Sequence, residues 1–238
     1  MTGIEQFTRL VAVPDAEIDL GRAALQIAAT RYPALDVDSC LRRLDGLASG
    51  ARELIGDAQD PLHCSNALSQ FLFDEAGFRG NTDDYYDPRN SYLSDVLDRR
   101  PGIPITLSLL YIEVGRRLEI PLVGIGMPGH FLVRHRDVAD LFVDPFHSGM
   151  LLSEAECAQR VEDVTGGRLQ WHPAHLAPVD NRSFLARMLR NLKVIYLQRL
   201  EHQEALSVLD LLVALLPDDA DEQRDRLAIS NRLSGRSE

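Results

Sequence analysis

The sequence has no uninterrupted apolar run approaching the roughly 18 residues that span a bilayer, so no membrane segment is expected. It also has no surplus of basic charge: 25 Lys and Arg stand against 36 Asp and Glu, a formal net charge of −11. Nonspecific attraction to nucleic acid or to an anionic membrane surface is therefore not expected. The N-terminus, MTGIEQFTRLVAVPDAEIDL, lacks a basic stretch followed by a long apolar one, and no signal peptide is read there. Cysteine is scarce. Cys40, Cys64 and Cys157 are odd in number and widely separated, which fits reduced thiols in a cytoplasm rather than a disulfide framework. Zinc-type Cys/His spacing is missing, and so is a Gly-rich loop ending in Lys-Ser/Thr, so no metal, nucleotide or other cofactor is expected.

What is present reads as an α+β chain in three parts. Residues 1–80 carry helical spacing: Ile18, Leu25 and Ala28 in the first segment, then Leu41, Leu44 and Leu47, then Leu68, Phe71, Leu72 and Ala76. The third of these starts at Asp60-Pro61, an N-cap with proline at the first helical position, and stops at Gly77. No chemistry is visible there, and the segment is expected to be a helical scaffold.

Residues 81–177 differ. FRGNTDDYYDPRNSYL is rich in turn residues, and Ser91 is placed to cap a short helix bearing Leu93, Val96 and Leu97. PGIPITLSLLYIEVGRRLEIP follows, with Pro104 in a first turn, apolar residues almost all round, and Arg116 and Arg117 near the end. Such a helix should be central and buried. PLVGIGM, HFLVRH and DLFVDPF are short β-rich runs expected to pair antiparallel, and Ser153 with Glu156 makes a capping box for a helix closed by Gly166-Gly167. From residue 178 to 238 the chain is helical again. Leu189, Leu192, Tyr196, Ala205, Leu209 and Pro217 fall at the spacing of a tetratricopeptide repeat, with Lys193 where a small residue is usual. An ordinary helical hairpin accounts for the same pattern.

GIGMPG, residues 124–129, matches a dinucleotide fingerprint in letters only, because a strand-like run rather than a helix follows it. His130, His135, His147 and Asp144, with the pair His172 and His175, raise the question of a metal, but Pro173 interrupts the pair and hydrogen-bonded or surface histidines are the simpler account. The sharper pattern is His130 after a Pro-Gly turn and Asp144 fourteen positions later, each beside a strand. On neighbouring antiparallel strands an aspartate can accept the imidazole N–H and orient the other ring nitrogen toward a nucleophile. The bland alternative is a histidine starting a strand and an aspartate capping a proline turn.

NSYLSDVLDRRPGIPITLSLLYIEVGRRL, MPGHFLVRH and FVDPFHSG, with RMLRNLKVIYL and LLPDD further on, resemble the bacterial SirB-type family of transglutaminase-like proteins. The resemblance covers nearly the whole chain. It implies a transglutaminase-like, papain-related core between a helical N-terminal region and a tetratricopeptide-like tail. It puts the family's histidine on His130, its aspartate on Asp144, and its Gly-x-Cys on Gly102-Ile103-Pro104, so the nucleophile position is proline. Thr106 and Ser108 lie on the same helix, but a hydroxyl needs stronger activation than a thiol. The expectation is a noncatalytic, protein-binding or regulatory module, with Asn90, Tyr92, Thr106, Ser108, His130 and Asp144 around its cleft. The rival is an amide hydrolase or acyl transferase with a non-standard nucleophile.

Overall fold

The computed structural model describes residues 2–235. Side-chain caps start most of the helices. Thr2, Asp19, Asp36 and Asp60 each accept a backbone N–H at the head of α1 (Gly3–Val11), α2 (Leu20–Arg31), α3 (Val37–Ile55) and α4 (Pro61–Ser69). The first predicted helix is thus two pieces, because Asp15–Glu17 forms a separate 3-10 turn and Asp19 restarts the chain. After α4 the winding loosens into a π-helical segment, Gln70–Glu75, and the chain leaves through Gly77 at φ +76°.

A two-residue parallel ladder then joins β1 (Arg79–Gly80) to β2 (Pro101–Gly102). Between them lie the 3-10 turn Pro88–Ser91 and helix α5 (Leu93–Arg99). Ser91 does not cap α5: the cap position is Tyr92, and the Ser91 hydroxyl has no hydrogen-bond partner. Helix α6 (Pro104–Arg117) follows with Pro104 as its first residue, and most of its side chains are buried. Its partners explain why: α6 packs on the sheet on one side and on α3 and α5 on the others.

The sheet is an antiparallel meander of β3 (Leu122–Ile125), β4 (Leu132–His135), β5 (Phe142–Asp144) and β6 (Met150–Leu152), in that spatial order. Its register pairs Val133 with Val143 and Asp144 with Met150. GIGMPG spans the β3–β4 connection, and no helix opens there. Ser153 and Glu156 form the capping box of α7 (Glu154–Thr165), which ends at Gly166, φ +61°.

The tail is α8 (Asn181–Gln198) and α9 (His202–Leu215), packed on each other, with α10 (Ala220–Ser234) against α9. Lys193 stands at its position for a local reason: its ammonium reaches Glu222 Oε2 at 2.7 Å and Asp225 Oδ2 at 2.9 Å on α10. One hydrophobic core runs from Phe7 in α1 to Ile229 in α10, drawing on all three sequence segments. Among the described residues, no helix is long and apolar enough to cross a membrane.

Candidate functional site

The geometry centres on Asp144, fully buried at the end of β5. Its Oδ1 accepts the amides of Phe146 (3.1 Å) and His147 (3.3 Å), capping a 3-10 turn at Pro145–His147. That turn closes through Ser148 and Gly149, both left-handed at φ +55° and +77°, and the Gly149 amide returns to the Asp144 carbonyl at 2.9 Å. Gly149 has little choice. A Cβ there would stand 2.2 Å from Ser69 Oγ and 3.1 Å from Phe73, at the start of the π-helical segment. Gly80 is similarly constrained, since a Cβ would come within 2.5 Å of the Phe146 carbonyl.

Asp144 Oδ2 is the convergence point. His130 Nε2 lies 2.8 Å away, His147 Nδ1 2.9 Å away, and the Arg160 guanidinium of α7 contacts the same oxygen. Burial would raise the Asp144 carboxyl, but hydrogen bonds and charge from His130 and His147 outweigh it and hold it well below the usual carboxylate range. The group is ionised and acts only as an acceptor, so His130 donates its Nε2 proton to it. His130 Nδ1 makes no hydrogen bond to any described residue. The main chain around His130 is held from the tail: Arg187 Nη2 on α8 donates to the carbonyls of Met127 and His130, each at 2.7 Å. Aromatic rings lead outward, with His130 edge-on to Phe146 and Phe146 edge-on to the exposed Tyr85.

The remaining residues singled out from the sequence go elsewhere. Pro104 is buried in the first turn of α6, its missing N–H harmless there. Thr106 donates to the Asn90 carbonyl at 2.7 Å, and Ser108 to the Phe131 carbonyl at 3.5 Å, so neither hydroxyl is bonded to His130. Asn90 organises its own loop, receiving Asn81 Nδ2 at 3.0 Å and donating to the Asp84 carbonyl at 2.7 Å. The Tyr92 hydroxyl meets that of Tyr196 at 2.9 Å, on the face of α8 rather than at His130. Burial pushes all three thiols up, Cys157 to about 11. His135, His172 and His175 are not part of the cluster.

Arg160 and Arg187 are not singled out by the sequence as site residues; His147 is, but only among the metal candidates set aside in favour of hydrogen-bonded or surface histidines. His147 was visible in the FVDPFHSG motif, three places after Asp144, a spacing that a capped 3-10 turn brings back onto its own cap. Arg160 had no local signal, since it reaches the site only because α7 lies against β6.

His130 at the entry to β4 and Asp144 at the end of β5 follow α6 in chain order, and residues 38–190 match the family described as the transglutaminase-like superfamily. The chain belongs to that superfamily. It is 38% identical over 222 residues to a UPF0162 protein of Xylella fastidiosa strain 9a5c, covering 91% of this chain and 79% of that protein. A UPF0162 protein of Pseudomonas aeruginosa is 32% identical over 216 residues, covering 90% of this chain and 78% of its own. Human F-box only protein 21 is 30% identical over 219 residues, covering 86% of this chain but 32% of its own length. No solved structure matches the chain significantly.

Proposed function

We propose that this protein is a noncatalytic transglutaminase-like module of the SirB type, which binds a protein partner through the surface around His130 in a regulatory role. The observation that carries the reading is Pro104 at the head of α6, where the superfamily chemistry requires a thiol at a helix N-terminus. Thr106 and Ser108 support it, because each hydroxyl is committed to a backbone carbonyl. The three buried thiols support it too, being shifted away from thiolate. The helical tail, read as tetratricopeptide-like, is the second partner-facing surface, and a reducing cytoplasm is the setting in which those thiols stay free.

Paired labelling tests the reading. Wild-type protein treated with a thiol-directed probe, and separately with a hydroxyl-directed fluorophosphonate, is expected to show no labelling that disappears in His130→Ala. Pro104→Cys is expected to gain a reactive thiol whose labelling falls when His130 is also replaced. Labelling of Thr106, Ser108, Cys40, Cys64 or Cys157 in the wild type that depends on His130 overturns the noncatalytic reading in favour of an amide hydrolase or acyl transferase.

A further inference from the structure

His147 Nδ1 lies 2.7 Å from Arg160 Nη1. A guanidinium only donates, so Nδ1 meets it with a lone pair. The same Nδ1 lies 2.9 Å from Asp144 Oδ2, an ionised oxygen that only accepts. In the His147 tautomer that carries its ring proton on Nε2, no proton sits between those two atoms. Two lone pairs face one cationic position, and the guanidinium occupies it. His130 Nε2, 2.8 Å from the same oxygen, supplies a third lone pair as soon as its ring proton moves to the unbonded Nδ1.

We propose that His130 Nε2, Asp144 Oδ2 and His147 Nδ1 form a site for one divalent first-row transition metal ion, with the Arg160 guanidinium filling the cation position when the ion is absent. The three atoms lie within 4.8 Å of one another. Metal–ligand bonds of about 2.0–2.2 Å at right angles place adjacent donor atoms about 2.8–3.1 Å apart. The two edges that meet at Asp144 Oδ2 measure 2.8 and 2.9 Å. Two imidazoles with one carboxylate suit a transition ion and disfavour calcium and magnesium, which take oxygen ligands.

The supporting groups fit as well. Asp144 Oδ1 is held by the amides of Phe146 and His147, and the turn bearing His130 by Arg187, so the donors are pre-oriented. Arg160 is free to leave. Its side chain reaches the surface, and among the described residues that side chain hydrogen-bonds Asp144 and His147 alone, so its departure strands no other described group. The inference does not depend on the noncatalytic reading, which concerns Pro104.

Chelator-treated full-length protein titrated with Co2+, followed by visible absorption and by Zn2+ competition, tests the site. One ion per chain is expected. His147→Ala, at a half-exposed position that leaves the fold intact by circular dichroism, should weaken binding at least about 100-fold, and Arg160→Ala should tighten it about tenfold by removing the competing cation. No binding of Co2+ or Zn2+ to the wild type overturns the proposal. So does binding that both substitutions leave unchanged, which assigns the ion to surface histidines such as His172 and His175.

Discussion

Arg187 grips the backbone of His130: one guanidinium nitrogen of a tail helix bonds the carbonyls at both ends of the Met127–His130 turn, while the group lies over the Phe131 ring at 5.2 Å. The tail is therefore part of what aims the site. Arg187→Gln is expected to lower stability by about 1–3 kcal/mol, the consequence of leaving the His130 carbonyl without its partner and the Met127 carbonyl with only the His130 amide, at 3.3 Å. It should also shift the His130 ring resonances in a 1H–15N spectrum more than those of His63 or His172. Unmoved His130 resonances would show that Arg187 stabilises without positioning.

Gly149 makes a second test. Its left-handed backbone and the 2.2 Å approach to Ser69 Oγ leave no room for a methyl group. Gly149→Ala combines backbone strain with a steric clash, and about 2–4 kcal/mol of destabilisation is expected in urea unfolding. Because the same turn carries His147, the substitution should also disturb the Asp144 cluster. Gly149→Ala together with Ser69→Gly should recover part of the loss, since the smaller neighbour relieves the clash and leaves only the strain.

Much of the fold was legible because it was written locally. Asp36, Asp60, Ser153 and Gly166 act where their residue types predict, and Pro104 does start α6. The capping box Thr2-Glu5 is a local signal of the same kind. Ser91 failed as a cap because Asp87 had already captured that turn, accepting the Arg89 amide at 3.0 Å and pulling the helix start on to Leu93. The site was legible only in part. His130 leads into β4 and Asp144 ends the neighbouring β5, so spacing brings them together, whereas Arg160 and Arg187 arrive from helices whose docking no local pattern encodes. Tyr92 was misplaced for the same reason: its partner, Tyr196, is more than a hundred residues away.

Asp87 also sets an acid-side dependence. Burial raises its carboxyl, but hydrogen bonds from the Arg89 side chain and amide, with the charges of Arg89 and Arg99, outweigh this and lower it. A depressed folded-state value contributes stability above the unfolded value of about 3.9, and the contribution is lost as pH falls through the folded value. Asp87→Asn should therefore cost about 1–3 kcal/mol at pH 7 and progressively less as pH falls below the unfolded value, in paired urea titrations across the acid range. An equal cost across that range would assign the loss to packing of the turn.

Glu222 is nearly fully buried between Arg190 Nε, at 2.8 Å, and Lys193 Nζ, at 2.7 Å. Removing its charge leaves two cations facing a neutral group. Glu222→Gln is expected to destabilise by about 2–4 kcal/mol, and Glu222→Gln with Lys193→Met to recover part of that loss, as measured by thermal unfolding.

The larger of the two hydrophobic clusters has a practical corollary for anyone dissecting this protein. The stretch by which the chain is recognised, residues 38–190, ends inside α8, three residues before Lys193 and well before Tyr196, and it omits α1, α2, α9 and α10. A fragment cut to those limits keeps His130, Asp144 and Arg187. It loses Phe7, Leu25 and Leu212, which fill the same interior as Leu107 and Phe184. The family-matched stretch is smaller than the body that must fold to display it, and a fragment cut to residues 38–190 leaves part of that interior open to water.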